Sequence, residues 1–186
     1  MSRKPSFPAR RRILVTSAAA LAVVFALLGG RVISAPDKYT VQVPNGLSFS
    51  EFRGYEDWAV VAVSKTDALM AVILANPVMM DAYRAGVPGN GKPFPDGSKM
   101  AKVHWKPKQS AEAPDPTTVP ETLHDIDFMV RDSKRFANTG AWGWAQFNYD
   151  AESDTFTPEG SGADCGHTCH TIVAAKDYVF TAYPKR

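Results

Sequence analysis

The chain has 186 residues, of which 45% are hydrophobic and 22% charged, and it contains two cysteines. This composition excludes a disordered or collagen-like chain, and two cysteines are too few for a disulfide-rich scaffold. The formal net charge of +2 hides an uneven distribution, because the first 35 residues hold six Lys/Arg and no acidic residue. The rest carries 15 basic against 19 acidic residues, a net charge of −4. A mildly acidic body argues against nucleic-acid binding as the main function.

The N-terminal segment has the pattern of an export signal. Three arginines at 10–12 precede an almost wholly apolar run at 13–28, and small residues end the segment at 34–35. The run of about 16 residues is shorter than the ~20 of a usual membrane span, whereas Pro36 disfavours cleavage directly before it. A cleaved signal peptide and an uncleaved anchor therefore both remain open. Either predicts that residues 36–186 form one domain in an oxidising compartment, the periplasm, with only the N-terminal segment at the membrane.

The body predicts an α+β fold dominated by an antiparallel sheet with a few short helices. Residues 36–54 are polar and rich in turn formers, so we expect a leading segment. Four segments have the alternation or the β-branched and aromatic content of strands: 58–63 (buried), 99–106, 123–130 and 142–149. Asn76-Pro77 predicts a helix start, with the helix ending near Gly86. Loops are expected at 86–97, at the proline-rich 107–120 and at 160–162, with a helical turn at 132–136.

Two predicted strands alternate strictly enough to assign their faces. In the strand at 99–106, one face carries Met100, Lys102 and His104, and the other carries Ala101, Val103 and Trp105. In the strand at 123–130, one face carries Asp125, Asp127 and Met129, and the other carries Ile126, Phe128 and Val130. Each strand therefore has an apolar face and a face that mixes methionine with titratable residues. Lys102 and Asp127 on the mixed faces are either solvated or turned towards a ligand.

Both cysteines and two of the four histidines fall in Cys-Gly-His-Thr-Cys-His at 165–170. In an exported protein, C-x-x-C-H attaches haem through two thioethers, and its histidine ligates the iron. Here three residues separate the cysteines, so we expect a bulged loop between them, aided by Gly166. The Cys169-His170 adjacency is intact. The motif therefore predicts one haem c held by Cys165 and Cys169, with His170 as the iron ligand.

Other interpretations of the cysteines remain open. Cys165 and Cys169 are able to form a disulfide, although so short a loop stabilises little. A zinc site needs four ligands, and only His104 and His124 remain to complete one. Two unlinked structural thiols are a third interpretation. His167 has the wrong spacing for the proximal ligand, and we expect it to be a solvent-facing loop residue.

Over residues 54–186 the sequence resembles the cytochrome P-460 family, which includes the β-sheet type of cytochrome c′. The resemblance is carried by the order of several segments: Phe94-Pro95-Asp96-Gly97 followed by Met100-Ala101-Lys102, the run from Asp127 to Phe136, Trp142-Gly143-Trp144-Ala145-Gln146-Phe147, the Cys-His cluster, and the run from Lys176 to Thr181.

The resemblance implies a homodimer of antiparallel sheets, each holding one haem c with a five-coordinate iron and an open distal site. In the enzymes of the family, a lysine after the F-P-[DE]-G turn is bonded to the porphyrin, which matches Lys102. A distal carboxylate just before V-[KR]-D-S-x-R-F acts as the base, which matches Asp127. These enzymes oxidise hydroxylamine and need an external electron acceptor. The c′-type members instead bind nitric oxide or carbon monoxide beneath apolar residues.

The chain departs from this pattern in its cysteine spacing and in having aspartate where the enzymes have glutamate. Aspartate is one methylene shorter, so it reaches less far towards a substrate, and a base must come within ~2.6–3.2 Å of its proton. Three functions are therefore carried forward: hydroxylamine oxidation, binding of a gas, and electron transfer with a methionine on the distal side. The candidates for that methionine are Met79, Met80, Met100 and Met129.

Overall fold

A computed structural model describes residues 36–44, 47–160 and 162–186. The predicted export segment, residues 1–35, lies outside the described residues. Within the described part of the chain, no helix is both long enough and apolar enough to cross a membrane.

A six-stranded antiparallel sheet organises the chain, with the strands side by side in sequence order. The strands are β1 (Ala59–Lys65), β2 (Met70–Ala75), β3 (Lys99–Gln109), β4 (Thr118–Arg131), β5 (Trp142–Asp150) and β6 (Thr155–Pro158). The α-helices are α1 (Pro77–Arg84) and α2 (Gly162–His170), and short 3₁₀ helices lie at Lys38–Thr40, Phe49–Phe52, Tyr55–Asp57, Ala137–Thr139 and Thr171–Lys176. The predicted α+β class with a dominant antiparallel sheet is confirmed.

The first predicted strand exists, but the prediction that it is buried was wrong. β1 is an edge strand and mostly exposed, with Val63 76% exposed. Its buried neighbour is β2, whose sequence Met-Ala-Val-Ile-Leu-Ala contains several good helix formers. Sequence reasoning missed β2 for this reason, and it also missed the short strand β6.

The predicted loop at 107–120 was also wrong, because the β3–β4 hairpin extends far into it. The two strands remain paired as far as Gln109 and Thr118, and Pro107 lies opposite Pro120. The pairing of β2 and β5 with this hairpin ends before these positions. Proline lacks an N–H, and at an unpaired outer edge this loss costs no bond to a neighbouring strand.

α1 begins and ends where the sequence predicts. The Asn76 side chain caps it by accepting from the Met79 N–H at 3.1 Å. The same oxygen accepts from the Lys99 N–H at 3.0 Å, which ties the helix start to β3. Gly86 follows the helix with a φ of 89°, a left-handed conformation that favours glycine.

Two segments that carry the family resemblance bind each other. Asp96 accepts from the Ser133 N–H at 3.0 Å and from its hydroxyl at 2.6 Å. The Gly97 N–H donates to the Arg131 carbonyl at 2.9 Å, with Gly97 at a φ of 87°. Residues 132–136 form a hydrogen-bonded turn as predicted, in which the Phe136 N–H donates to the Asp132 carbonyl at 3.0 Å.

The sheet has two faces of different character. The closed face is covered by residues of the predicted leading segment and is packed with apolar side chains around Phe49 and Phe52, both fully buried. The leading segment expected at 36–54 therefore contributes to the core. The members of this cluster on the sheet are Leu74, Ala101, Val103, Ile126, Phe128, Val130, Ala145 and Phe147. The other face, here called the cavity face, is covered in part by α1 and by the chain after α2.

Candidate functional site

A row of side chains crosses the cavity face at the centre of the sheet. Lys102 in β3 lies opposite Ile73 in β2 and Asp127 in β4, and Asp127 lies opposite Gln146 in β5. Directly opposed residues of antiparallel strands share one face. The predicted faces of β3 and β4 are therefore confirmed.

A cavity of about 410 Å³ lies over this row, a volume within the range of small-molecule sites. Its lining includes Lys102 and Asp127 from the sheet, and Cys169 and His170 from α2. The apolar part of the lining includes Ile73, Met100, Met129, Trp144, Val179 and Phe180. Residues as far apart in the sequence as Ile73 and Phe180 are thus brought to one cavity.

The cysteines lie on a helix, and the predicted bulged loop between them was wrong. α2 is a continuous α-helix that includes residues 165–170. Cys165 and Cys169 are four residues apart, which is about one turn of an α-helix. Three intervening residues therefore need no distortion of the backbone.

Gly166 allows α2 to pack closely rather than to bend. A Cβ atom at this position would lie 2.7 Å from Cγ of Trp144 in β5. The missing side chain therefore lets the helix lie directly on the indole ring. This contact fixes the helix over the cavity face.

His170 is held in a single tautomer. Its Nδ1 lies 2.6 Å from the carbonyl oxygen of Tyr178. Because a carbonyl only accepts, Nδ1 must carry the proton, which leaves Nε2 as the ring nitrogen able to bind a metal. Burial lowers the pKa of the His170 imidazole, and the positive charge of Lys102 acts in the same direction. Both effects favour the neutral ring that a metal ligand requires.

The residue that precedes Tyr178 forms a largely buried ion pair. Asp177 and Tyr178 both adopt left-handed conformations, with φ of 52° and 62°. The Asp177 carboxylate accepts from Arg131 Nη1 at 2.8 Å and from the Phe94 N–H at 2.7 Å. Arg131 and Asp177 each keep only 12% of their side chains exposed. The segments around residues 94, 131 and 177, which carry the family resemblance, therefore meet next to Tyr178, whose carbonyl accepts from His170.

Asp127 lies where both burial and charge act on its carboxyl group. Partial burial raises the pKa of Asp127 to about 6, and the negative charge of Asp125 acts in the same direction. The positive charges of His104 and Lys102 oppose this rise. A carboxyl that titrates near neutral pH is suited to accepting and releasing a proton.

Two histidines converge on Asp125 beside this carboxyl. His104 Nδ1 lies 2.6 Å from one oxygen of Asp125 and 3.8 Å from an oxygen of Asp127, and His124 Nδ1 contacts the other oxygen of Asp125. A register irregularity between β3 and β4 at this point brings His124 alongside Asp125. The two imidazoles hold the pKa of Asp125 below its ordinary value in spite of burial. Sequence reasoning named the face of Asp125 but gave this cluster no role.

These contacts bear on several of the alternatives that the sequence left open. His104 and His124 lie with Asp125 and are absent from the cavity lining that holds Cys169 and His170, so they do not complete a zinc site with the cysteine motif. Cys169 is an exposed free thiol. Of the candidate methionine ligands, Met100 and Met129 line the cavity. Met79 and Met80 belong to α1 and are buried in the core cluster.

His167 differs from its prediction. It is half-buried, and its ring centroid lies 5.4 Å from that of Trp144 and 6.0 Å from that of Tyr178. His167 therefore packs among aromatic rings rather than facing solvent from a loop.

The residues present fit a haem group. A neutral imidazole with a free Nε2, a thiol beside it and an apolar wall surround one cavity, and these are the features of a haem-binding cytochrome. The sequence profile of the cytochrome P460 family matches residues 52–181. The chain belongs to this family and is a haem cytochrome. No curated protein sequence matches the chain.

Proposed function

We propose that this chain is an exported cytochrome with one covalently attached haem c and an open distal site at which it oxidises hydroxylamine. The observation that carries this proposal is the placement of His170 and Asp127, from different elements, on the lining of one cavity. A metal ligand and a carboxylate that titrates near pH 6 are the two groups such a reaction needs from the protein.

α2 would carry the attachment. Each thiol of Cys165 and Cys169 would add across one haem vinyl group, so that an S–H bond and the π bond of the vinyl group would be replaced by C–S and C–H bonds. His170 would offer Nε2 to the iron, because the proton is held on Nδ1 by the Tyr178 carbonyl. Lys102 lines the same cavity and is the residue we expect to be bonded to the porphyrin.

Haem supplies the redox centre that takes electrons from the nitrogen substrate and passes them to an external acceptor. The Asp127 carboxylate accepts the proton that the substrate loses on oxidation. With a pKa of about 6 it is largely ionised at pH 7, so it is a base under working conditions. Where Lys102, directly opposite in β3, is not bonded to the porphyrin, its positive charge favours this ionised form.

Reversible binding of nitric oxide or carbon monoxide is the second candidate function. It is favoured by the apolar part of the cavity lining, which includes Ile73, Met100 and Met129. Such a wall shields a bound diatomic ligand without requiring a base. The third candidate, electron transfer, would use one of these methionines as a distal ligand.

The proposal includes export to the periplasm, through a cleaved signal or a retained anchor, and assembly as a homodimer. Fractionation of cells that produce the full chain, followed by intact mass and N-terminal sequencing, tests the first two points. Size-exclusion chromatography with light scattering tests the third. A full-length cytoplasmic product would contradict export.

The decisive experiment compares two aspartates. In haem-loaded protein, Asp127→Asn should lower hydroxylamine turnover with an artificial electron acceptor by about 100-fold or more. Carbon monoxide binding by the reduced protein should persist. Asp81→Asn, on an α1 side chain that is 77% exposed, is the matched control and should retain turnover.

The outcomes separate the three functions. Undiminished turnover in Asp127→Asn would refute Asp127 as the base. Absence of turnover in the parent protein, with gas binding intact, would replace oxidation by the gas-binding function. A low-spin spectrum that Met100→Ala or Met129→Ala converts to high spin would establish the electron carrier.

A further inference from the structure

A cluster of titratable residues around Asp125 adjoins the cavity, and of its members only Asp127 has a role in the proposed chemistry. Its members alternate carboxylate and imidazole in the order Asp127, His104, Asp125 and His124. Their exposed side-chain fractions are 42%, 12%, 5% and 43%. His104 and Asp125 are thus the protected centre of the cluster, and Asp127 is its member on the cavity.

These contacts fit a hydrogen-bonded cluster better than a metal site. His104, Asp125 and Asp127 offer ligand atoms within 4.8 Å of one another. Ligands that share one zinc ion lie ~2.0–2.2 Å from it, and two atoms bound tetrahedrally at that range are more than ~3 Å apart. His104 Nδ1 and Asp125 Oδ1 are only 2.6 Å apart. That distance is a direct hydrogen bond, in which Nδ1–H donates to the carboxylate.

The bond to Asp125 fixes the orientation of His104 relative to Asp127. Nδ1 is the atom held, and the same atom lies 3.8 Å from Asp127 Oδ2. A charge on this ring therefore acts directly on the Asp127 carboxyl. His104 is 12% exposed and Asp127 is 42% exposed, so water reaches this contact mainly from the side of Asp127.

We propose that His104 is a positioning residue for Asp127: Asp125 orients its imidazole, and its positive charge keeps the Asp127 carboxyl in the ionised form that a base requires. The role of Asp127 as a base rests on the proposed function, whereas the effect of His104 on the Asp127 proton does not. His124 completes the hydrogen bonding of buried Asp125 from the solvent side.

Each element next to Asp127 contributes its own set of polar, charged or titratable groups. β3 contributes Lys102 and His104, and β4 contributes His124 and Asp125. β5 contributes the uncharged Gln146, directly opposite Asp127. From α2, Cys169 and His170 line the same cavity. Among these, His104 has the largest effect in lowering the pKa of Asp127, ahead of Lys102 and His124.

The test is a titration of the Asp127 carboxyl in haem-loaded, reduced, carbon monoxide-bound protein. Carboxyl carbon NMR of ¹³C-aspartate-labelled protein follows it, and Asp127→Asn assigns the signal. His104→Gln removes the cation and retains a donor for Asp125, so we expect the Asp127 midpoint to rise by about one pH unit, a tenfold change in the proton-binding constant. His124→Gln, the matched control on the other oxygen of Asp125, should move the midpoint by less than a third of that.

A third variant separates charge from shape. His104→Lys restores a positive charge without the imidazole, and it should return the midpoint most of the way to that of the parent protein. Equal shifts in His104→Gln and His124→Gln, or no shift in either, would overturn the proposal. So would a stoichiometric divalent cation found by elemental analysis and lost in His104→Gln.

The same variants distinguish this inference from the proposed function. If hydroxylamine turnover exists, the acid limb of its pH profile should move upward in His104→Gln together with the NMR midpoint. A moved midpoint in a protein without turnover would leave His104 as the positioning residue and refute the enzyme. Turnover with an unmoved midpoint would support the enzyme and refute His104 as the positioning residue.

Discussion

The two faces of the sheet differ in the side chains that they carry and in what those side chains do. Strands β3 and β4 place Ala101, Val103, Ile126 and Phe128 on the closed face, where aromatic rings pack at centroid distances such as 4.1 Å between Phe52 and Phe128. The same strands place Lys102, His104, Asp125 and Asp127 on the cavity face. The closed face stabilises the fold. The cavity face gives up apolar packing, and its charges are positioned by the rigid sheet behind them.

The largest expected effect on stability lies on the closed face. Phe49 is fully buried and contacts five aromatic rings, so Phe49→Ala should lower the free energy of unfolding by about 3–5 kcal/mol. Denaturant unfolding measures this. The haem absorbance of the folded fraction should be unchanged. Phe180→Ala, on a cavity-lining residue that is 49% exposed, should cost far less, and an equal cost would contradict the division between the faces.

A smaller loss is expected at the ion pair behind His170. Asp177→Asn removes the closer of the two carboxylates that pair with Arg131, which is 12% exposed, at a cost of about 2 kcal/mol. The haem spectrum should also change, because the Tyr178 carbonyl that orients His170 is no longer held. Asp81→Asn removes the exposed pair with Arg84 and should cost less than about 1 kcal/mol. An unaltered spectrum in Asp177→Asn would show that the pair does not position His170.

The packing of α2 gives a third comparison. Gly166→Ala places a Cβ atom against Trp144, and overpacking of this kind costs about 1–3 kcal/mol. We also expect poorer haem attachment, because the helix that carries both cysteines is displaced. Gly160→Ala meets no atom within 4 Å and should be neutral in both measurements.

The last prediction concerns the pH dependence of stability caused by Asp127. Its pKa of about 6 in the folded protein lies above the ordinary 3.8, so the folded state binds the proton more tightly than the unfolded state does. This group therefore reduces stability as pH rises from about 4 to above 6. Asp127→Asn lacks that loss and should be more stable than the parent at pH 8 but not at pH 4. A difference that is independent of pH would contradict the raised pKa.

Local patterns predicted much of the cavity face. The alternation within 99–106 and 123–130 correctly placed Lys102 and Asp127 on mixed faces, since a strand fixes side-chain direction with a period of two. The Asn76-Pro77 start of α1 was equally readable. The Cys-His motif gave the candidate haem ligands, although its helical form was not foreseen.

Long-range contacts could not be predicted from such patterns. The Arg131–Asp177 pair joins residues 46 positions apart, and nothing in either local sequence names the partner. The closeness of His124 to Asp125 depends on a register irregularity between β3 and β4. The core role of Phe49 and Phe52 was hidden because their surroundings are polar and their helix is a short 3₁₀ turn.

Covalent attachment of haem is tested by a haem stain on a denaturing gel, combined with intact mass, of the chain produced in a host that attaches haem c. We expect one haem per chain that survives denaturation, and we expect it to be lost when both Cys165 and Cys169 are changed to Ala. A ferrous Soret band shifted strongly to the red, and returned to an ordinary position by Lys102→Arg, would add the lysine bond. A folded chain without covalent haem, from a host that matures other c-type cytochromes, would refute the covalent attachment of haem through Cys165 and Cys169.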